Sequence, residues 1–190
     1  IGLPAALVAA ALLTGSPAGA QKKANPDLDK DKDANSEKMI KAGVLTGKGG
    51  MGLFWYGGQQ YTNFVLRGEF RQSGPIADSG VFLRFPDPKS DPWNAVRQGH
   101  ELEIGDPNPK IPTWRTGSLY PFQASTTANT RPPGEWNTYE LTAIGHNYAV
   151  RINGQVVTTW TDSTRRSLQG YIGLQNYDDG QSVSHRRLRI

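Results

Sequence analysis

Cysteine is absent from all 190 residues. That excludes disulfides, a thiolate metal site, a nucleophilic cysteine and a lipidated N-terminal cysteine. Histidine is nearly as scarce: His100, His146 and His185 stand far apart and form no metal-ligand spacing. Helix-favouring runs are few, whereas Gly (22) and Pro (13) are plentiful, a composition suited to short strands joined by turns. A chain of this length makes one domain with a short appendage, and a core of that size stands without covalent staples. The formal charge is only +4, with much of the excess at the end of the chain in Arg186, Arg187 and Arg189. No helix-turn-helix or aromatic RNA-binding pattern accompanies them. They read as a solvated strand face, and nucleic acid is not an expected partner.

Long apolar runs are missing too, with one exception. "LPAALVAAALLTG", residues 3–15, is short for a membrane span. It leads into "SPAGA", where Ala18 and Ala20 fit the small-x-small cleavage pattern before Gln21. Residues 1–20 are therefore expected to be an export signal, with its charged first part upstream of Ile1. The mature protein would be secreted or periplasmic, without a membrane anchor. Residues 21–43 alternate Lys and Asp with almost nothing to bury, the pattern of a mobile linker. The Asp29, Asp31, Asp33 spacing imitates the start of a calcium loop, but Ala34 stands where Gly is required and Ile40 where Glu is required.

What the rest of the chain does have, over 44–190, is period two. "NFVLRGEF" alternates Phe64, Leu66, Gly68 and Phe70 against Val65, Arg67 and Glu69. "NTYELTAIG" sets Tyr139, Leu141 and Ala143 against Thr138, Glu140 and Thr142. "YAVRINGQVVTTW" is a hairpin turning at Asn153-Gly154. With "SGVFLRF", "HELEIG", "GYIGLQN" and "SVSHRRLRI", this predicts eight to ten strands and no convincing helix. The economical architecture is all-β, two antiparallel sheets packed face to face.

One strand is unusual. "GHELEIGD", residues 99–106, carries Glu101, Glu103 and Asp106. Residues i and i+2 share a strand face, roughly 6.5 to 7 Å apart, so Glu101 and Glu103 point one way and His100, Leu102 and Ile104 the other. The apolar side is expected to face the core, which His100 suits poorly, and the acidic side to face outward. Gly105 would let a bulge turn Asp106 inward. Paired carboxylates at this separation serve glycoside chemistry, although the spacing does not choose between retaining enzymes (about 5 to 5.5 Å) and inverting ones (about 6.5 to 9.5 Å). They also suit a divalent cation held between Glu101 and Asp106. Against both stands the plain reading of solvated acids paired with Arg84 and Arg97. The flanking loops "PDPKSDPWNAVRQ" and "PNPKIPTWRTGS" would wall a cleft and offer Trp93 and Trp114 to sugar rings.

Six motifs in order resemble a known family: "GLFWYGGQQYTNFVLRGEFR", "DSGVFLRFPDP", "GHELEIGDP", "TGSLYPF", "PPGEWNTYELTAIGHNYAVRINGQVV" and "GYIGLQNY". Together they are similar to the 3-keto-disaccharide hydrolase domain, over roughly residues 48–190. The resemblance implies a concanavalin-like or laminin-G-like jelly roll and an exported bacterial protein. It carries over Asp78-Ser79-Gly80 and Arg84, with Asp in place of the family's Asn. It carries over Glu101, Glu103 and Asp106, with Glu103 replacing Gln and His100 replacing Tyr. Tyr120 comes from the "TGxxY" motif and Gln175 from "GLQ", where Asn176 and Tyr177 follow in a region that often carries His.

The resemblance implies cleavage of 3-keto-glycosides. A C3 ketone acidifies the C2 proton; a carboxylate removes it, the C1 substituent leaves and water adds back. Glu101 or Glu103 would be the base, Arg84 the electrostatic partner, and Trp93, Trp114, Tyr120 and Gln175 the substrate contacts. Two alternatives remain open. The strand also resembles, with acids exchanged, that of laminarinase-type β-glucanases, and many laminin-G-like sandwiches only bind carbohydrate.

Overall fold

The computed structural model describes residues 43–190 except 48, 107 and 179. The expected signal and linker lie outside the described residues. Among the described residues eleven strands form in chain order: β1 (Val44–Thr46), β2 (Gly50–Trp55), β3 (Phe64–Gln72), β4 (Ser79–Phe85), β5 (His100–Ile104), β6 (Leu119–Tyr120), β7 (Asn137–Ile144), β8 (Asn147–Ile152), β9 (Gln155–Thr161), β10 (Tyr171–Asp178) and β11 (Val183–Arg189). All pairings are antiparallel. One sheet runs β1-β11-β3-β7-β8-β9 and the other β2-β10-β4-β5-β6. The fold is an all-β jelly roll, and the strands that periodicity did not reveal are β1, β2 and β6. Each is short or glycine-bearing, so alternation has little room to show.

Alternation decides the core. In β3 the residues Phe64, Leu66 and Phe70 are buried, and in β7 Tyr139, Leu141 and Ala143 are. They meet Val81, Leu83, Leu102 and Ile104 from β4 and β5 in one cluster between the sheets. The β8–β9 turn is the expected hairpin: Asn153 (φ 48°) and Gly154 (φ 82°) both take the left-handed conformation that such a two-residue turn requires.

β4 and β5 are buried along their whole length. Their inner face meets the core. Part of their outer face is covered by a short helix, α1 (Trp93–Gln98), whose Ala95 packs with Phe82, Phe85 and Leu53. The loop before β5 is thus not wholly irregular. Gly99 closes the helix through its N–H to the Ala95 carbonyl, and a Cβ there would lie 2.8 Å from that oxygen.

Arg84 is the largest departure from strand logic. Alternation would put it on the outer face with Gly80 and Phe82. Instead Leu83 pairs with Ile172 and Phe85 with Tyr171, which leaves Arg84 as the extra residue of a bulge at φ 53°. Its side chain turns to the inner side and is wholly buried. The guanidinium donates to the carbonyls of Thr62 (2.9 Å) and Gly145 (2.6 Å) and to the Tyr148 hydroxyl (2.8 Å).

That hydroxyl continues a chain of bonds which explains His100. Tyr148 Oη lies 3.3 Å from His100 Nδ1, and His100 Nε2 lies 3.0 Å from Asp162 Oδ2. The pattern is consistent when neutral His100 accepts from Tyr148 at Nδ1 and donates to Asp162 from Nε2–H. Burial lowers the His100 pKa despite the bond to Asp162. Burial pushes Asp162 up, but hydrogen bonds from Thr164, His100 and the Arg166 N–H outweigh it and hold the carboxylate below its usual range. A histidine on the core face of β5 is tolerated because each of its nitrogens has a partner.

Arg84→Met, which keeps the volume and removes the donors, is expected to lower unfolding free energy in urea by about 3 kcal/mol or more, because buried acceptors lose their cation. A loss under about 1 kcal/mol, the net worth of one ordinary hydrogen bond, would mean that the guanidinium is not integral to the fold.

Candidate active site

Register brings the site together. Gly80 pairs with Glu103, and Phe82 pairs with Glu101. Directly opposed residues share a sheet face, so these four project from the outer side of the five-stranded sheet. Tyr120 stands opposite Glu101 on the other flank. On β10, Gly173 pairs with Phe82, so Gln175, two residues on, emerges on that face as well. Tyr177 bridges to Asp78. Three carboxyls (Asp78, Glu101, Glu103) and the Gln175 amide therefore surround Gly80.

Gly80 is needed for this arrangement. A Cβ built on it would lie 2.1 Å from Glu101 Oε1. The Glu101 carboxyl lies across bare backbone, where any side chain would evict it.

The acids are not solvated. Glu101 is 3% exposed and Glu103 5%, which corrects the expectation of an open acidic face. Burial raises the Glu101 pKa well above the carboxylate range, and the nearby Asp78 charge adds to it. Burial does the same to Glu103, reinforced by Glu101 and Asp78 and by a side-chain hydrogen bond with Asp78. Burial raises Asp78 too, although its bonds to Glu103 and the Ser79 N–H oppose the shift. The bond favours the charged form of Asp78 and the neutral form of Glu103. Glu101 Oε1 and Gln175 Oε1 are buried without a hydrogen-bond partner among the described residues. Two unmet acceptors near one glycine are what a ligand's donors would complete.

The other candidates fall differently. Arg84 is on the opposite side of the sheet, held by the bulge, and does not reach the acids. Arg97 pairs with Asp91, so neither arginine neutralises the strand. Asp106 is exposed just past β5. Five residues of extended chain separate its backbone from that of Glu101, roughly 16 Å, so the two do not form one cation site. Among the described residues no group of three or more His, Cys, Asp or Glu is placed to hold a metal ion. Trp93 opens α1, 43% exposed, and α1 packs on β4 and β5. Trp114 closes a 3-10 turn (Pro112–Trp114), half-buried, which packs on β5 and β6. Both Trp-bearing segments do flank the acidic strand.

Asp78 is the site residue to which the sequence reading gave no role beyond its place in the Asp78-Ser79-Gly80 motif. The signal was present, because a residue opening the strand beside β5 ends up level with the acids. Seeing it requires knowing that β4 and β5 are neighbours, in a register that sets Ser79 opposite Ile104.

The chain is thus a jelly-roll β-sandwich with a buried carboxyl cluster on one outer face. The chain belongs to the 3-keto-alpha-glucoside-1,2-lyase-like domain family, whose model matches residues 20–190. Among solved structures it is similar to a candidate glycosyl hydrolase from Parabacteroides distasonis (22% identity, TM-score 0.67, covering 78% of this chain and 86% of that one). A second candidate glycosyl hydrolase from the same organism matches at 19% identity and TM-score 0.67, over 79% of this chain and 80% of that one. The carbohydrate-binding module CBM66 from Bacillus subtilis matches at 12% identity and TM-score 0.54, over 75% and 83%. At these identities the likeness is one of fold. No curated protein matches the sequence.

The buried acids carry a pH signature. A carboxyl whose pKa is raised by folding binds its proton more tightly in the native state. Its stabilising contribution is full below about pH 4.3, the ordinary glutamate value. It is lost as pH rises through the raised native pKa. Glu103→Gln keeps a donor for Asp78 and removes the titration. The variant is expected to melt with the parent at pH 4 and about 3 °C or more above it at pH 8, the shift that roughly 1 kcal/mol produces in a domain of this size. Parallel melting-temperature profiles across that range would rule out a raised Glu103.

Proposed function

We propose that this domain cleaves 3-keto-glycosides by proton abstraction at C2. The observation that carries the reading is the buried, proton-sharing cluster around Gly80: clustered carboxyls with raised pKa are the groups suited to general acid–base work near neutral pH. Glu101 in its ionised form is the base: burial raises its proton affinity, and its Oε1 has no partner among the described residues. It takes the C2 proton, and the electron pair moves to the C3 oxygen as an enediolate. The electrons then return, the C1–O bond breaks and a C1=C2 double bond forms. The leaving oxygen is protonated, and the elimination is complete. Water adding across C1=C2 makes the net reaction a hydrolysis; stopping earlier makes it a lyase, the activity that the family's description names.

With Arg84 turned away, the enediolate is met by neutral donors. Protonated Glu103 and the Gln175 side-chain N–H groups are on the correct face. A carboxylic acid kept neutral by burial donates a strong hydrogen bond to a developing oxyanion. Tyr177, in the region where the family often carries His, stands opposite Asp78 and supplies a phenol proton for the leaving oxygen. Trp93, Trp114 and Tyr120 contribute ring faces for the sugar at the flanks.

Glu101→Gln is expected to lower turnover of a 3-keto-glucoside about a hundred- to ten-thousandfold, the usual worth of a general base, with binding retained. The unoxidised glucoside is expected to remain uncleaved. A second reading is favoured by the low exposure of both glutamates: the sandwich binds carbohydrate and performs no chemistry. Binding of both sugars with turnover of neither would establish that reading and end the first.

The same proposal places the protein outside the cytoplasm, on the strength of the apolar run before Ala18-Gly19-Ala20. N-terminal sequencing of exported material is expected to begin at Gln21. Recovery of cytoplasmic protein retaining residues 1–20 would refute export.

A further inference from the structure

The outer face of the six-stranded sheet has the opposite chemistry. Register lines up Arg189 on β11, Arg67 on β3, Glu140 on β7 and Arg151 on β8 in one row across four strands. The adjacent row sets Arg186 opposite Glu69. Arg187 reaches the same Glu69, and Arg71 extends the face along β3. Six arginines thus face two glutamates. The excess of four positive charges equals the formal net charge of the whole chain, +4.

Neither glutamate neutralises its surroundings. Glu140 is shared by Arg67 (2.7 Å) and Arg151 (3.7 Å). Glu69 is shared by Arg186 (2.6 Å) and Arg187 (2.8 Å). Arg189 has no carboxylate within ion-pair distance among the described residues and stands directly opposite Arg67. Like charges opposed in a ladder repel. Between the rows lies a groove of about 280 Å³ lined by Arg67, Arg151 and Arg189 and also by Glu69 and Glu140, so its guanidiniums outnumber its carboxylates by one. Gly68, Gly154 and Thr138 leave room between these charged side chains, and Arg189 is the guanidinium there without a carboxylate at ion-pair distance among the described residues.

We infer that this groove is a second carbohydrate site, which takes a carboxylated polysaccharide such as a polyuronate. The guanidinium fork matches a carboxylate with two parallel hydrogen bonds, and a ligand carrying one acid per sugar would relieve the repulsion that the fold leaves in place. Nucleic acid fits worse. A single strand needs free aromatic faces on which to stack, and Trp136, beside this face, is already stacked by Arg71 and Arg186 at 4.7 and 3.8 Å. The choice of sugar over other polyanions rests on the carbohydrate reading of the family. The groove itself is independent of the acid cluster, which projects from the other sheet.

Affinity electrophoresis of the full chain through gels containing polygalacturonate tests this. Retardation is expected in polygalacturonate and not in dextran, and it should weaken as salt is added. Arg189→Gln and the pair Arg67→Gln/Arg151→Gln are each expected to weaken binding by about tenfold or more, the worth of a charge-assisted hydrogen bond. Both are surface changes, and unchanged melting temperatures would exclude unfolding as the cause. Glu101→Gln should bind polygalacturonate as the parent does, and Arg189→Gln should keep turnover of the 3-keto-glucoside, so the two sites fail or succeed separately. Equal mobility in polygalacturonate and dextran, undiminished binding by the arginine variants, or equal retardation by duplex DNA would each overturn the proposal.

Discussion

Everything distinctive about this domain follows from one constraint: β5 is buried on both faces and carries two glutamates. A carboxylate withdrawn from water without a cation is too unfavourable to persist, so it keeps its proton or shares one. No cation comes to these acids among the described residues, since Arg84 and Arg97 are engaged elsewhere. The remaining solution is the one adopted. Glu103 shares a hydrogen bond with Asp78 that favours its neutral form, and Glu101 rests on the bare backbone of Gly80. The fold thereby holds groups whose proton affinity is tuned by burial rather than by a counter-ion.

The other side of the same strand shows the alternative treatment of buried polarity. His100 projects into the core, but each of its nitrogens has a partner, and the chain from Arg84 through Tyr148 and His100 to Asp162 is complete. Such a network ties the two sheets together because its members come from both: Arg84 and His100 from the five-stranded sheet, Tyr148 from the six-stranded one. Complete networks of this kind rigidify a core, whereas an incomplete one marks a place left ready for something else. By that criterion the inner network is structural, and the acid cluster, with unmet acceptors on Glu101 and Gln175, is the functional one.

The two outer faces divide the charge of the molecule. Acids whose proton affinity is raised by burial occupy one, and arginines that outnumber their carboxylate partners occupy the other. A jelly roll permits this because strand alternation insulates each outer face from the core and from its counterpart by the thickness of two sheets, about 10 Å between backbones.

Sequence alone determined the architecture, the inner faces of β3 and β7, the Asn153-Gly154 hairpin and the pairing of Glu101 with Glu103 on one side of a strand. These are local properties: alternation has period two, and a type I′ turn needs only its own two residues. The motifs were equally legible, because a family resemblance depends on order and spacing along the chain. Tertiary structure alone decided what those residues face. Whether Glu101 and Glu103 are solvated depends on what packs over that face of the sheet, which strand alternation does not encode. Asp78 joins them only through the β4–β5 register. Arg84 leaves them because a single bulged residue, paired against β10, reverses its side chain. A strand pattern specifies two faces, but only the neighbouring strands and the covering helix settle which face meets water, and that difference separates a solvated acid from a protonated one.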